Sequence, residues 1–244
     1  MVVMPDADVN KTTDALIGSA FGSAGERCMA ISVAVCVGKK TAENLKTKLL
    51  EETLKLNVGP YTDEKSDFGP LNNKAHYEKV LGYIDTGEKE GAKLLSDGRN
   101  MKLQGYENGY FVGPTIFEDV KPDMKIYKEE IFGPVLSMMT TDTYEEALKL
   151  VNDHELGNGA AVFTKSGMIA KHFTENAKIG MIGVNVPIPV PVAYHSFGGW
   201  KRSLFGDHSM HGPEGVRFYT KLKTATVTWS EDNSGPEFTI PVLS

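Results

Sequence analysis

Apolar positions along the chain switch repeatedly between helical and extended spacing. Leu16, Ala20 and Ala24 fall at i, i+4 intervals beside Ile17 and Phe21. This predicts an amphipathic helix that Asn10 can cap and that runs into Gly25. Ala30 to Val37 is a continuous apolar run rich in β-branched residues, the pattern of a buried strand. Thr41 to Leu56 carries Leu45, Leu49 and Leu50 on one side and stops at Gly59-Pro60, which predicts a second helix. A third is expected between Asn72 and Glu90, followed by a short strand from Ala92 to Leu95. Strand patterns recur at Tyr110–Phe117, Val135–Thr140, Ala160–Phe163 and Met181–Val184. Thr143-Tyr144-Glu145-Glu146 is a capping box that opens the helix between the second and third of these. Such alternation predicts an α/β layered domain with a largely parallel sheet.

Toward the end the signal changes. Pro187-Ile188-Pro189-Val190-Pro191 predicts a rigid extended connection on a surface or along a cleft. After Trp200 the periodicity weakens. Lys223 to Trp229 then alternates as an edge strand does, and such a strand can pair with a neighbouring subunit.

Composition narrows the function without naming it. The 244 residues are 41% hydrophobic and 24% charged, enough to bury a core without disulfides or a structural metal. The net charge of −6, with no Lys/Arg cluster, argues against nucleic acid and anionic membrane as partners. The longest apolar run, Met29 to Val37, is too short to span a membrane, and the first residues do not read as a signal peptide. Cys28 and Cys36 form no disulfide framework, which points to a reducing, cytoplasmic setting.

Among residues that carry chemistry, Cys28 stands out. It follows a helix, a glycine and Arg27, and it precedes a buried strand. A thiol attacks as thiolate, a form that a neighbouring guanidinium favours. A half-buried structural cysteine is the alternative, and for Cys36, inside its strand, it is the better reading. His208 and His211 have H-x-x-H spacing but lack the further ligands of a zinc site, so no metal is expected. Gly157-Asn158-Gly159 lacks the third glycine of a dinucleotide loop, and neither a Walker loop nor a G-x-S-x-G elbow is present.

Phe21-Gly22-Ser23-Ala24-Gly25-Glu26-Arg27-Cys28 resembles the nucleophile segment of the aldehyde dehydrogenase superfamily. Lys128-Glu129-Glu130-Ile131-Phe132-Gly133-Pro134 resembles its cofactor-contacting segment. Gly180-Met181-Ile182-Gly183-Val184-Asn185 and Phe197-Gly198-Gly199-Trp200-Lys201-Arg202-Ser203 resemble later signatures, all in the family's order. Met4-Pro5-Asp6-Ala7, Arg27-Cys28-Met29-Ala30, Gly157-Asn158-Gly159 and Gly215-Val216-Arg217-Phe218-Tyr219-Thr220 resemble one branch, the CoA-acylating methylmalonate-semialdehyde dehydrogenases. Glu26 departs from the wider family, where Gln is usual.

The resemblance implies a three-layer α/β catalytic domain over residues 1–205 and a C-terminal extension with an oligomerisation strand over 206–244. It implies that Cys28 attacks a semialdehyde and that hydride passes to NAD. The resulting thioester loses carbon dioxide and passes to coenzyme A as propionyl- or acetyl-CoA. Arg27 would hold the substrate carboxylate, the alternative being a surface ion pair with Glu26 or another acid. The Cys28 N–H would form half of an oxyanion hole. Glu130 would accept hydrogen bonds from the nicotinamide ribose, and Phe132 would pack near the ring. The alternatives for these two are a solvated carboxylate and core filler. Family members are about twice this length and usually dimers or tetramers. The chain is therefore expected to be a catalytic half without its NAD-binding domain, nearly inactive alone. A hydrolytic aldehyde dehydrogenase and a non-catalytic oligomerising module are the competing readings.

Overall fold

A computed structural model of the chain describes residues 1–229. It opens on a two-residue strand, β1 (Val2–Val3), and a tight turn leads from there to α1 (Val9–Phe21). Asp8, not Asn10, caps this helix: its carboxylate accepts the N–H groups of Asn10 and Lys11, each at 3.1 Å. Those bonds, that from Lys11 foremost, hold the Asp8 carboxyl below its ordinary pKa. Asn10 already lies in the first turn, where its side chain cannot reach the open N–H groups that follow a cap.

β2 (Val33–Val37) begins three residues later than its apolar run predicts. Residues 27–32 instead form a turn in which the Ala30 N–H donates to the Arg27 carbonyl and the Ile31 N–H to that of Ser19. α2 (Lys39–Thr53) and α3 (Lys74–Lys89) follow, the latter capped by Asn73. β3 (Lys93–Ser96) runs antiparallel to β4 (Thr115–Glu118). β4 starts at Thr115 rather than Tyr110, because Pro114 has no N–H for a ladder and the Tyr110 carbonyl is taken by the Leu71 N–H. Next come α4 (Lys125–Lys128), β5 (Val135–Thr141) and α5 (Tyr144–Asp153), whose capping box forms as predicted. β6 (Leu156–Gly157), β7 (Gly159–Phe163), α6 (Gly167–Asn176) and β8 (Met181–Val184) lead to β9 (Trp200–Lys201) and α7 (Gly212–Tyr219).

The main sheet has seven strands in the order β3-β4-β5-β2-β1-β7-β8, parallel throughout except for β3–β4. β1 lies near its centre: Val2 pairs with Val35 on one side and Val162 on the other. The inner strands are buried along nearly their whole length, as parallel strands covered by helices must be. Leu16, Phe21, Leu45, Ile84, Phe117 and Phe173 fill the core, each gaining about 1.5–3 kcal/mol from burial. β6 and β9 form a separate antiparallel pair. No helix among the described residues is long and apolar enough to cross a membrane.

Within the single chain Lys223–Trp229, expected as an edge strand, joins no ladder among the described residues, and Leu222 and Trp229 are almost fully exposed. Alternation lays down a strand only where an apolar surface receives one face and a partner strand supplies hydrogen bonds. Among the described residues this segment has neither.

Capping gives a direct check on α1. Asp8→Ala is expected to cost about 1 kcal/mol and to lower the thermal midpoint by roughly 2–4 °C. Asn10→Ala should leave it nearly unchanged, and circular dichroism melts compare the two.

Candidate active site

The end of α1 sets the position of the thiol. Ser23 and Ala24 adopt φ values of 54° and 55°, followed by Gly25 at 71°, so three successive residues sit in the left-handed region. A side chain on Gly25 would begin 2.1 Å from the carbonyl oxygen of Gly133, so only glycine permits this approach. The turn then delivers Arg27 and Cys28 to the surface, while Met29 points inward. The side-chain amide of Asn158 donates to the Cys28 carbonyl at 3.1 Å and also contacts the Met29 sulfur.

Arg27 does not pair with Glu26. Its guanidinium folds back over the end of α1, donating to Ser23 Oγ at 3.0 Å and the Gly18 carbonyl at 3.4 Å. These bonds use two of its five N–H donors, leaving three for another acceptor. Glu26 instead accepts from the Asn72 N–H at 3.3 Å and lies 3.3 Å from His76 Nε2.

The opposite wall comes from the segment between α4 and β5. Glu129 accepts from the Tyr83 hydroxyl at 2.7 Å. Burial, then this carboxylate, pushes the tyrosine pKa up to about 12. Glu130 is exposed, and its carbonyl accepts from Lys79. Phe132 is half-buried with φ at 61°, an uncommon conformation for a side chain of its size. Its carbonyl lies 2.6 Å from His76 Nε2.

The later signatures hold the Gly157-Asn158 loop, the N–H groups of Gly180 and Met181 donating to its carbonyls. The Gly157 N–H donates to Ser203 Oγ at 2.9 Å, and a side chain on Gly180 would begin 2.1 Å from the Gly198 carbonyl. Lys201 Nζ donates to the carbonyls of Val151, Asn152 and His154, capping the C-terminus of α5. Burial there lowers its pKa.

Cys28, Arg27, Glu130 and Phe132 all line one cleft of about 460 Å³, together with Asn158 and Pro187. The predicted site residues are thus brought together. Cys36 is not among them: it is fully buried in β2, and burial pushes its thiol up to about 12. Among the described residues no cluster of His, Cys, Asp and Glu could hold a metal ion. Asn158, His76 and Tyr83 carry structural weight at the site that spacing alone does not reveal. Asn158 lies in a motif already singled out, whereas the other two come together with the site only through the packing of α3.

The aldehyde dehydrogenase family profile matches residues 1–225. Malonate-semialdehyde dehydrogenase of Pseudomonas aeruginosa is 52% identical over 99% of this chain and 49% of its own length. The bovine protein, an acylating mitochondrial methylmalonate-semialdehyde/malonate-semialdehyde dehydrogenase, is 48% identical over 99% of this chain and 45% of its own. Among solved structures, a Sinorhizobium meliloti 1021 protein assigned as a methylmalonate-semialdehyde dehydrogenase and solved with NAD is 55% identical. It superposes with a TM-score of 0.93 over 96% of this chain and 48% of that one. Methylmalonate-semialdehyde dehydrogenase from Oceanimonas doudoroffii gives 0.92 at 52% identity, over 95% of this chain and 47% of that one. The chain spans about half the length of the curated relatives it matches. With residues of the nucleophile-like and cofactor-like segments lining one cleft and the profile match running from residue 1 to 225, the chain belongs to the aldehyde dehydrogenase family.

Proposed function

We propose that the chain supplies the thiol-bearing catalytic half, residues 1–205, of an NAD-dependent, CoA-acylating malonate- or methylmalonate-semialdehyde dehydrogenase. The observation that carries this reading is the convergence of Cys28, Arg27, Glu130 and Phe132 on one cleft. The substrates named for the relatives support the finer assignment.

Cys28 Sγ attacks the aldehyde carbon, and the new oxyanion lies against the Cys28 N–H. Arg27, with three N–H donors to spare, meets the substrate carboxylate. The exposed carboxylate of Glu130 suits the paired hydroxyls of a ribose, and the half-buried Phe132 ring suits a flat heterocycle, so the residues present fit a nicotinamide nucleotide. NAD, when bound there, accepts the hydride. Cys28 is then left as a thioester. The acyl group loses its carboxylate as carbon dioxide, its α carbon taking a proton from water, and then passes to the sulfur of coenzyme A, whose thiol proton goes to the departing Cys28 sulfur and restores the free cysteine. Two unpaired cysteines suit a reducing compartment such as the cytoplasm.

The described part of residues 206–244 leaves Met210, Val216, Phe218, Tyr219 and Trp229 exposed. Exposed apolar side chains of this number favour association between copies. We read them as the surface of a homodimer or homotetramer, and sedimentation velocity is expected to show no monodisperse monomer at high concentration.

Activity tests the main reading. Little NADH is expected from the 244-residue chain alone, because one wall of a cofactor cleft repays ordering costs poorly. With the first half of a relative supplied, NAD, malonate semialdehyde and coenzyme A should yield NADH and acyl-CoA, and Cys28→Ala should abolish both. A free acid in place of acyl-CoA would favour the hydrolytic reading. Arg27→Leu should raise KM for the semialdehyde by roughly 10–100-fold while sparing an uncharged aldehyde of similar length. Iodoacetamide should label Cys28 in the folded chain and reach Cys36 only on unfolding, since a thiol whose pKa stands at about 12 is almost wholly protonated at neutral pH. Equal labelling of the two would sink the nucleophile assignment.

A further inference from the structure

One face of α3 grips the cofactor-facing segment. His76, Lys79 and Tyr83 stand at i, i+3 and i+7, a single stripe along the helix. Tyr83 donates to the Glu129 carboxylate at 2.7 Å, Lys79 to the Glu130 carbonyl at 3.1 Å, and His76 Nε2 lies 2.6 Å from the Phe132 carbonyl. His76 is the odd member, because the same nitrogen also lies 3.3 Å from Glu26 Oε1 in the nucleophile turn. Both neighbours of Nε2 are acceptors, so Nε2 must carry a proton whether the ring is neutral or charged. The imidazole is largely buried between them and stacks edge-on against the Phe132 ring, with centroids 6.3 Å apart.

We propose that His76 is a positioning residue. Its Nε2–H donates to the Phe132 carbonyl while the ring rests against the Glu26 carboxylate 3.3 Å away, which brings the cofactor-facing wall and the thiol-bearing turn onto one side chain. Two observations give this tether work to do. Phe132 is held at a φ of 61°, which needs contacts to keep its peptide in place. Glu26 lies one residue from Arg27 and two from Cys28, and its carboxylate is drawn away to α3 by His76 and by the Asn72 N–H. The tether fixes the distance between thiol and Phe132 and parks a negative charge off the guanidinium. Its catalytic value rests on the proposed role of Phe132 as a cofactor wall.

Nuclear magnetic resonance of the full chain tests it directly. Long-range nitrogen–proton spectra should show His76 with its proton on Nε2, and a neutral ring protonated on Nδ1 would overturn the proposal. In His76→Gln the side-chain amide reaches the Nε2 position, whereas in His76→Asn it reaches only that of Nδ1. Exchange of the Val135 and Thr115 amides, whose acceptors are the Gly133 and Pro134 carbonyls, should therefore rise about five- to tenfold in His76→Asn and His76→Leu and return toward the parent rate in His76→Gln. Indistinguishable exchange in the Gln and Asn variants would also overturn it, and that comparison decides the matter even where His76→Leu fails to fold. In the reconstituted assay, KM for NAD should rise several-fold in His76→Asn with kcat falling less, and His76→Gln should restore it. The exchange pattern without any NADH formation by the parent protein would leave the tether standing and sink the catalytic reading instead.

Discussion

The site depends on one backbone-to-backbone contact, the approach of Gly25 to the carbonyl of Gly133. That contact brings the turn after α1 against the strand that becomes β5, and it requires the chain to bend through three left-handed residues to get there. Ser23 and Ala24 each carry a cost of about 1–2 kcal/mol in that region, which the surrounding packing must offset. Ala24 and Gly25 are buried, so relaxing the bend would expose them and open the contact. The same logic recurs where Gly180 meets Gly198. Glycines in the signature motifs thus serve geometry: they let segments far apart in sequence touch through their main chains.

Charge is sorted around this frame. Three glutamates lie near the cleft, and two of them are tied to α3, Glu26 through His76 and Glu129 through Tyr83. Glu130 also lines the cleft, and among the described residues its carboxylate has no ion-pair or hydrogen-bond partner. The proposed thiolate nucleophile and carboxylate substrate would both suffer from free negative charge nearby, so under that proposal sequestering two of the three matters. Arg27 is treated in the opposite way. It is steadied by Ser23 and by a carbonyl near the end of α1, where a cation is favoured, but it keeps donors to spare.

Most of the architecture was legible in the apolar pattern because parallel strands buried on both faces read as unbroken runs. β5, β7 and β8 fall within a residue of the predicted spans, and so does the capped start of α5. β1 could not be seen, since two residues carry no periodicity, and its place in the sheet is set by partners at Val35 and Val162. The strand expected at Lys223–Trp229 marks the reverse case, a local alternation that meets no partner strand among the described residues of the single chain. Cys28 beside Arg27 was legible as a candidate nucleophile from its neighbours, whereas the roles of Glu130 and Phe132 came only through motif resemblance; no spacing rule joins residues a hundred positions apart. His76 and Tyr83 lay beyond reach, for they belong to an ordinary amphipathic helix whose polar face becomes informative once it is docked.

The two cysteines show how finely the start of a strand divides their chemistry. Eight positions separate them, yet Cys36 lies in the middle of the sheet with its thiol pushed up to about 12, and Cys28 lies on the cleft. Had β2 begun at Ala30, as the apolar run alone would have it, ladder bonds would have reached almost to Cys28. Its carbonyl would then have competed for a strand partner. Instead the ladder begins at Val33, and the Cys28 carbonyl is taken by the side chain of Asn158, which arrives from the loop before β7. A single amide therefore does for Cys28 what a neighbouring strand does for Cys36. It satisfies the backbone while leaving the sulfur out of the core, and it makes the position of the thiol depend on a segment 130 residues away.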